Sequence, residues 1–175
     1  MYSKNHLHLL RWALYALFAA VIFLLQEYLF AHLKIFGVRP MFAAALTASV
    51  ALFEGAFSGA VFGTALGFAV GLTVSGTEGF FAFAYMASGF LCGAFCEYMF
   101  DKKLAAALLW SFMINIAATA GYFFFYLFIP GHAGGMEFLR VGIPEILYST
   151  AVTPLVYFFV QKIARRLNIA YIDDI

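Results

Sequence analysis

The sequence predicts an all-α integral membrane protein, a six-helix transmembrane bundle forming one domain over residues 1–175. Three observations predict it. Hydrophobic residues make up 65% of the chain and charged residues only 11%, whereas a soluble domain carries roughly 25% charge and about 45–50% apolar residues. Apolar runs longer than about 18 residues recur, the length a helix needs to cross ~30 Å of hydrocarbon. The breaks between the runs hold glycine, proline or charge. A net charge of +1 gives no sign of a nucleic-acid surface.

The first span is expected over about 9–30. Lys4 and Arg11 precede the apolar stretch "WALYALFAAVIFLLQEYLF", which is too long for a signal peptide and lacks a convincing small-x-small cleavage site, so it is read as a retained span. "AHLKIFGVRP" breaks the helix, and Pro40 suits the start of the next one. Residues 41–74 then form an apolar block of 34 interrupted only by Glu54. That is too long for one span and slightly short for two, so a short second helix (40–53) is expected to turn at Glu54-Gly55 into a third (55–74). "SGTEG" at 75–79 is a turn, the fourth span covers 80–100, "DKK" at 101–103 ends it, and the fifth covers 104–128. A longer loop, "IPGHAGGMEFLRVGIP", leads to the sixth span at 144–163.

Lysine and arginine set the orientation. With both termini inside, the inner side holds Lys4, Arg11, Lys102, Lys103, Lys162, Arg165 and Arg166, and the outer side Lys34, Arg39 and Arg140. This favours a multi-pass protein with cytoplasmic termini and an even number of spans; fusing helices into four spans would keep the same parity.

Within "EGAFSGAVFGTALGFAVG" a glycine recurs at every fourth position: Gly55, Gly59, Gly63, Gly67 and Gly71. In lipid no hydrophobic effect draws helices together, and small residues let backbones approach closely. The line is therefore a helix-packing or partner interface, with Gly89 and Gly93 in the fourth span as a matching pair. A four-residue step advances 400°, so the line drifts about 40° per step. That drift predicts different glycines against different neighbours rather than one zipper partner.

Intramembrane charge usually marks function, because burying it costs at least ~2.5–3.5 kcal/mol at a helix centre. Here the acids stand near helix ends: Glu27 and Glu145 toward the outer face, Glu54 at the inner turn, and Glu97 near the end of span four. Glu145 falls in the first turn of span six, where the helix dipole favours it. Asn115, in the middle of span five, is the deepest polar residue and is expected to hydrogen-bond across helices. Cys92 and Cys96 lie four apart in an apolar run; a disulfide within one turn is geometrically poor, and two thiols alone make no metal site. No nucleophile elbow, phosphate loop or HExxH motif is present. Neither a catalytic residue, a cofactor nor a metal is predicted.

Taken in order, "FGVRP", a short apolar helix, an acid with glycine, the glycine-rich helix ending "GLTVSG", a glycine-containing fourth span and "IPEILYSTAVTPLVYFFVQKIARRL" resemble the rod shape-determining protein MreD family of bacteria. The carriers are Arg39-Pro40, Gly55, Gly59, Gly63, Gly67, Gly71-Leu72, Gly89 and the span-six ending, and the likeness covers nearly the whole chain. Acids common in the family after Arg-Pro and after Gly-Leu are replaced near those places by Met41 and Val74, with Glu78 further along. The resemblance implies a non-enzymatic scaffold in the bacterial cytoplasmic membrane, part of the elongasome that controls cell shape. It also implies binding to an MreC-like single-span protein and a link between MreB filaments and side-wall peptidoglycan synthesis. The family's fold is similar to substrate-binding subunits of energy-coupling-factor vitamin transporters. That gives the alternative: a solute-binding subunit with Asn115, Glu27 and Glu145 as ligands, capped by the 129–144 loop, and presenting Ala13, Ala16, Ala19 and Ala20 as a flat docking face.

Overall fold

The computed structural model describes residues 2–28, 40–74, 77, 79–98, 103–131 and 135–173; the side chains of 2–11, 27, 97, 98, 137 and 167–173 fall outside that description. The described residues are helical, without strands. Helix α1 covers Tyr2–Tyr28, α2 Phe42–Glu54, α3 Ala56–Thr73, α4 Phe80–Tyr98 and α5 Leu104–Tyr122. A π-helical stretch, Phe123–Phe128, continues α5. A single turn, α6 (Gly135–Glu137), and a second π-helical stretch, Phe138–Gly142, lead into α7 (Ile143–Ala151) and α8 (Thr153–Asp173). Among the described residues, three helical runs are long and apolar enough to cross a membrane: Ala56–Thr73, Leu104–Phe128 and Phe138–Arg166.

Helix α2 is the hub. Its mean composition is apolar on every side, and every residue from Phe42 to Leu52 is buried. A helix apolar all round belongs inside a bundle, and α2 packs against α1, α3, α4, α5, α7 and α8. Four of its alanines, Ala44, Ala45, Ala48 and Ala51, are completely buried, so six neighbours close around a thin helix. Its thirteen residues span about 20 Å at ~1.5 Å per residue, short of the hydrocarbon thickness.

Both ends of α2 are tied by specific groups. At the start, Met41 is extended (φ −100°, ψ 113°) and supplies no side-chain cap. Instead its N–H donates to Ser149 Oγ of α7 (2.8 Å), and the Phe42 N–H donates to Gln26 Oε1 of α1 (3.0 Å). At the far end Gly55 takes φ 88°, a left-handed value that a side chain disfavours, and its N–H closes on the Ala51 carbonyl. Beside this turn Tyr15 of α1 donates to Glu54 Oε1 at 2.8 Å. The expected turn at Glu54-Gly55 is the observed one.

The last expected span, 144–163, lies inside the longer helical run Phe138–Arg166, which carries an irregularity. The helix is interrupted at Val152, whose carbonyl accepts from both the Leu155 and Val156 N–H groups. Pro154 explains the break: it has no N–H to donate and disfavours helical backbone in the residue before it. Thr153, at the break, donates to Ser111 Oγ of α5 (2.8 Å, both buried) and pins the interruption to the bundle. Removing that bond with Thr153→Val is expected to cost about 0.6–2 kcal/mol, read as a lower unfolding temperature in detergent.

Candidate functional site: a glycine seam and a polar layer around one buried helix

Gly59, Gly63, Gly67 and Gly71 all face α4 or its leading turn, and Gly59 and Gly63 also face α2. A methyl group added at Gly59 would sit 2.6 Å from the Gly89 carbonyl oxygen; at Gly63 it would collide with the Tyr85 carbonyl, at Gly67 with the Phe81 carbonyl, and at Gly71 it would lie 3.7 Å from the Thr77 carbonyl oxygen. At the other end, a methyl on Gly93 would strike Ala56 and lie 2.5 Å from the Gly55 carbonyl carbon. Each step of four forward along α3 is a step of four back along α4 and its leading turn. The two antiparallel helices therefore share one continuous seam in which backbone lies on backbone.

The expectation that different glycines meet different neighbours gives way to one shared partner, α4, joined by α2 at Gly59 and Gly63. The 40° drift holds against a straight helix axis. A four-residue row on one helix is itself inclined to the axis, and when the partner contributes a four-residue row too, the crossing lays one row along the other. The ends of the line also escape the constraint. Gly55 belongs to the α2–α3 turn and Thr77 precedes α4. A second neighbour does flank the seam: α2 brings Ala51 Cβ to 2.5 Å from a methyl at Gly59 and Thr47 Cγ2 to 3.1 Å from one at Gly63. Helices α2, α3 and α4 thus meet along the glycines.

Polar groups gather around α2 at its middle and its Pro40 end. Thr47 and Ser49 of α2, Ser111, Asn115 and Thr119 of α5, and Ser149 and Thr153 of α7 and α8 are all buried. Asn115 is 3% exposed, one helical turn from the Ser111–Thr153 bond. Its Nδ2 has no hydrogen-bond partner among the described residues, and the same is true of Thr47 Oγ1, Ser49 Oγ and the Tyr85 hydroxyl. Buried polar groups are normally bonded to protein or to internal water, so this layer has unfilled donor capacity. The cross-helix bond expected of Asn115 is not made by its Nδ2. Asn115→Leu, which removes an unpartnered buried amide and keeps its branched shape, is expected to leave thermal stability within about 1 kcal/mol of the parent; unfolding in detergent measures it.

The remaining candidates divide. Pro40 is buried at the start of α2. Glu145 is half-buried in the first turn of α7 and lies within electrostatic reach of the Tyr85 hydroxyl, so it borders the polar layer. Glu54 instead serves the turn at the opposite end of α2. The side chain of Glu27 and all of Arg39 lie outside the described residues. In α1, Ala13, Ala16 and Ala20 are exposed while Ala19 is buried. The role of Tyr85 was missed from sequence; its position opposite Gly63, four residues before Gly89, is the signal that marks it.

No protein-family model, no curated protein and no solved structure matches the chain.

Proposed function

We propose that the chain is a non-enzymatic membrane scaffold resembling MreD, acting in the bacterial cell-elongation machinery. One observation carries the reading. The residues on which the resemblance rests, Gly55 through Gly71 with Gly89, are the same residues that bring α3 and α4 into backbone contact. The family-like pattern is thus the structural seam of the bundle. In this reading six helical segments cross the cytoplasmic membrane with both termini inside, and α2 crosses as the short, shielded centre. The glycines are consumed inside the protein, so an MreC-like span would dock on an outward helix face. Such a partner would link the bundle to MreB and to the peptidoglycan synthases.

The test is genetic and biochemical. Deleting the gene in a rod-shaped host is expected to give round cells, and the tagged protein is expected to co-purify a single-span coiled-coil protein. Persistent rods together with no such partner would sink the proposal.

A second reading, a solute-binding subunit of a vitamin-type transporter, draws support from the unpartnered Asn115, Thr47, Ser49 and Tyr85 groups and from Glu145 within electrostatic reach of Tyr85. Native mass spectrometry showing a tightly held small molecule, lost on Asn115→Leu, would favour it over the scaffold.

A further inference from the structure

The seam between α1 and α8 ends in a concentration of positive charge. Phe18 of α1 stacks on Phe159 of α8, with ring centroids 5.4 Å apart. Residues seven apart on a helix lie about two turns apart on nearly the same face. Seven residues before Phe18 stands Arg11, and seven after Phe159 stands Arg166. Helices α1 and α8 run antiparallel here, so both residues fall two turns from the aromatic stack in the same direction. Lys162, three residues after Phe159, shares that face of α8, and Arg165 adjoins it. The side chains of Lys162, Arg165 and Arg166 are exposed. Trp12, next to Arg11, is only partly buried and tilts against Phe62 with centroids 6.3 Å apart. The carboxylate described at this end of the bundle, Glu54, already accepts from Tyr15.

We propose that this end of the α1–α8 seam binds the phosphate of an anionic phospholipid in the adjoining leaflet. The inference rests on the membrane-bundle reading but not on the scaffold role. The Phe18–Phe159 pair would lie along the acyl chains, and the exposed Lys162 and Arg166 of α8 would meet the headgroup phosphate. Charge complementarity selects the occupant: positively charged grooves between transmembrane helices recognise anionic headgroups, each cation near the surface contributing about fivefold in affinity. Zwitterionic lipid offers the same phosphate with a compensating cation and is held less firmly.

The full chain, purified in detergent, is titrated with phosphatidylglycerol or phosphatidylcholine while thermal unfolding and lipid retention by native mass spectrometry are followed. Saturable stabilisation and retention are expected with phosphatidylglycerol, weakened about fivefold in Lys162→Gln or Arg166→Gln and about 25-fold in the double variant. Unfolding temperatures without lipid should match the parent, because both side chains are exposed; this separates lost binding from lost folding. Equal stabilisation by both lipids, or undiminished retention in the double variant, would overturn the proposal. So would an acidic peptide that stabilises the protein while phosphatidylglycerol does not, since the seam would then be a protein-docking site. Cell rounding and partner co-purification are scored separately, so the scaffold reading stands or falls on its own.

Discussion

Gly63→Leu is expected to abolish the monodisperse, folded protein. The first added carbon already collides with the Tyr85 carbonyl oxygen, lies 2.8 Å from the carbonyl carbon and 3.1 Å from Thr47 Cγ2. Two of those three atoms are backbone, so no rotamer change relieves the clash; α3 and α4 must separate. Overpacking by a single methylene group costs about 1–3 kcal/mol even where side chains adjust, and leucine adds three further carbons to the same place. Gly67→Ala is the milder form of the experiment, expected toward the upper end of that range because the Phe81 carbonyl and Ala82 Cα (2.7 Å) receive the methyl. Gly71→Ala is the internal control. Its methyl meets only the Thr77 oxygen at an ordinary 3.7 Å, and alanine is the better helix former, so stability should hold or rise slightly. Size-exclusion profiles and unfolding temperatures in detergent measure all three. Normal behaviour of Gly63→Leu would show that the centre of the line faces lipid and that the seam does not form.

Helix identity and most boundaries were legible in the sequence, because apolar runs and their Gly, Pro and charged breaks act locally. The second helix was expected to be short and to turn at Glu54-Gly55, and it does. Its central position was written in "FAAALTASVALF" as small and apolar residues on every face, but composition alone does not distinguish a helix surrounded by protein from one surrounded by lipid. The seam was half legible: the glycine spacing and the Gly89–Gly93 pair were visible, whereas the register that joins them depends on the crossing of two helices, which is tertiary. The break at Val152 is signalled only by Thr153-Pro154, inside an apolar run that otherwise reads as continuous helix. The π-helical stretches on either side of the 129–134 connection had no local signature. For the polar layer, Asn115 and Glu145 were conspicuous as polar residues among apolar ones; Thr47, Ser49 and Tyr85 were not, because hydroxyls are common in transmembrane helices and gain meaning only from burial without a partner.

The seam and the polar layer are consequences of one arrangement. Glycines in α3 and α4 draw those helices close enough to wrap α2, and alanines in α2 let the remaining helices close around it. Water is thereby kept from α2's polar groups, so each must be satisfied by a neighbouring helix or remain unpartnered. Thr47 and Ser49 are unpartnered among the described residues, while the start of α2 is satisfied from two sides. The same burial that leaves hydroxyls open at the middle of α2 makes its first N–H groups dependent on donated acceptors.

Ser149→Ala and Gln26→Met are therefore expected to be among the most damaging conservative changes in the chain. The first four N–H groups of a helix lack intrahelical partners, and at α2 the residue placed to cap them is Met41, whose side chain makes no capping hydrogen bond. Ser149 Oγ and Gln26 Oε1 supply the acceptors from α7 and α1, and Ser149 is fully buried. Deleting either acceptor leaves a desolvated N–H group, costing about 1–3 kcal/mol, and loosens a whole helix from the hub as well as one bond. The two bonds engage adjacent N–H groups from opposite helices, so the double variant is expected to lose at least the sum of the single losses. Gln26→Glu retains an acceptor oxygen and places negative charge at a helix start, which the dipole favours; it should recover part of the loss seen in Gln26→Met. Unfolding temperatures in detergent, compared across the four variants, decide the matter. If Ser149→Ala and Gln26→Met both unfold with the parent, water reaches the start of α2, and the helix is not the sealed centre of the bundle.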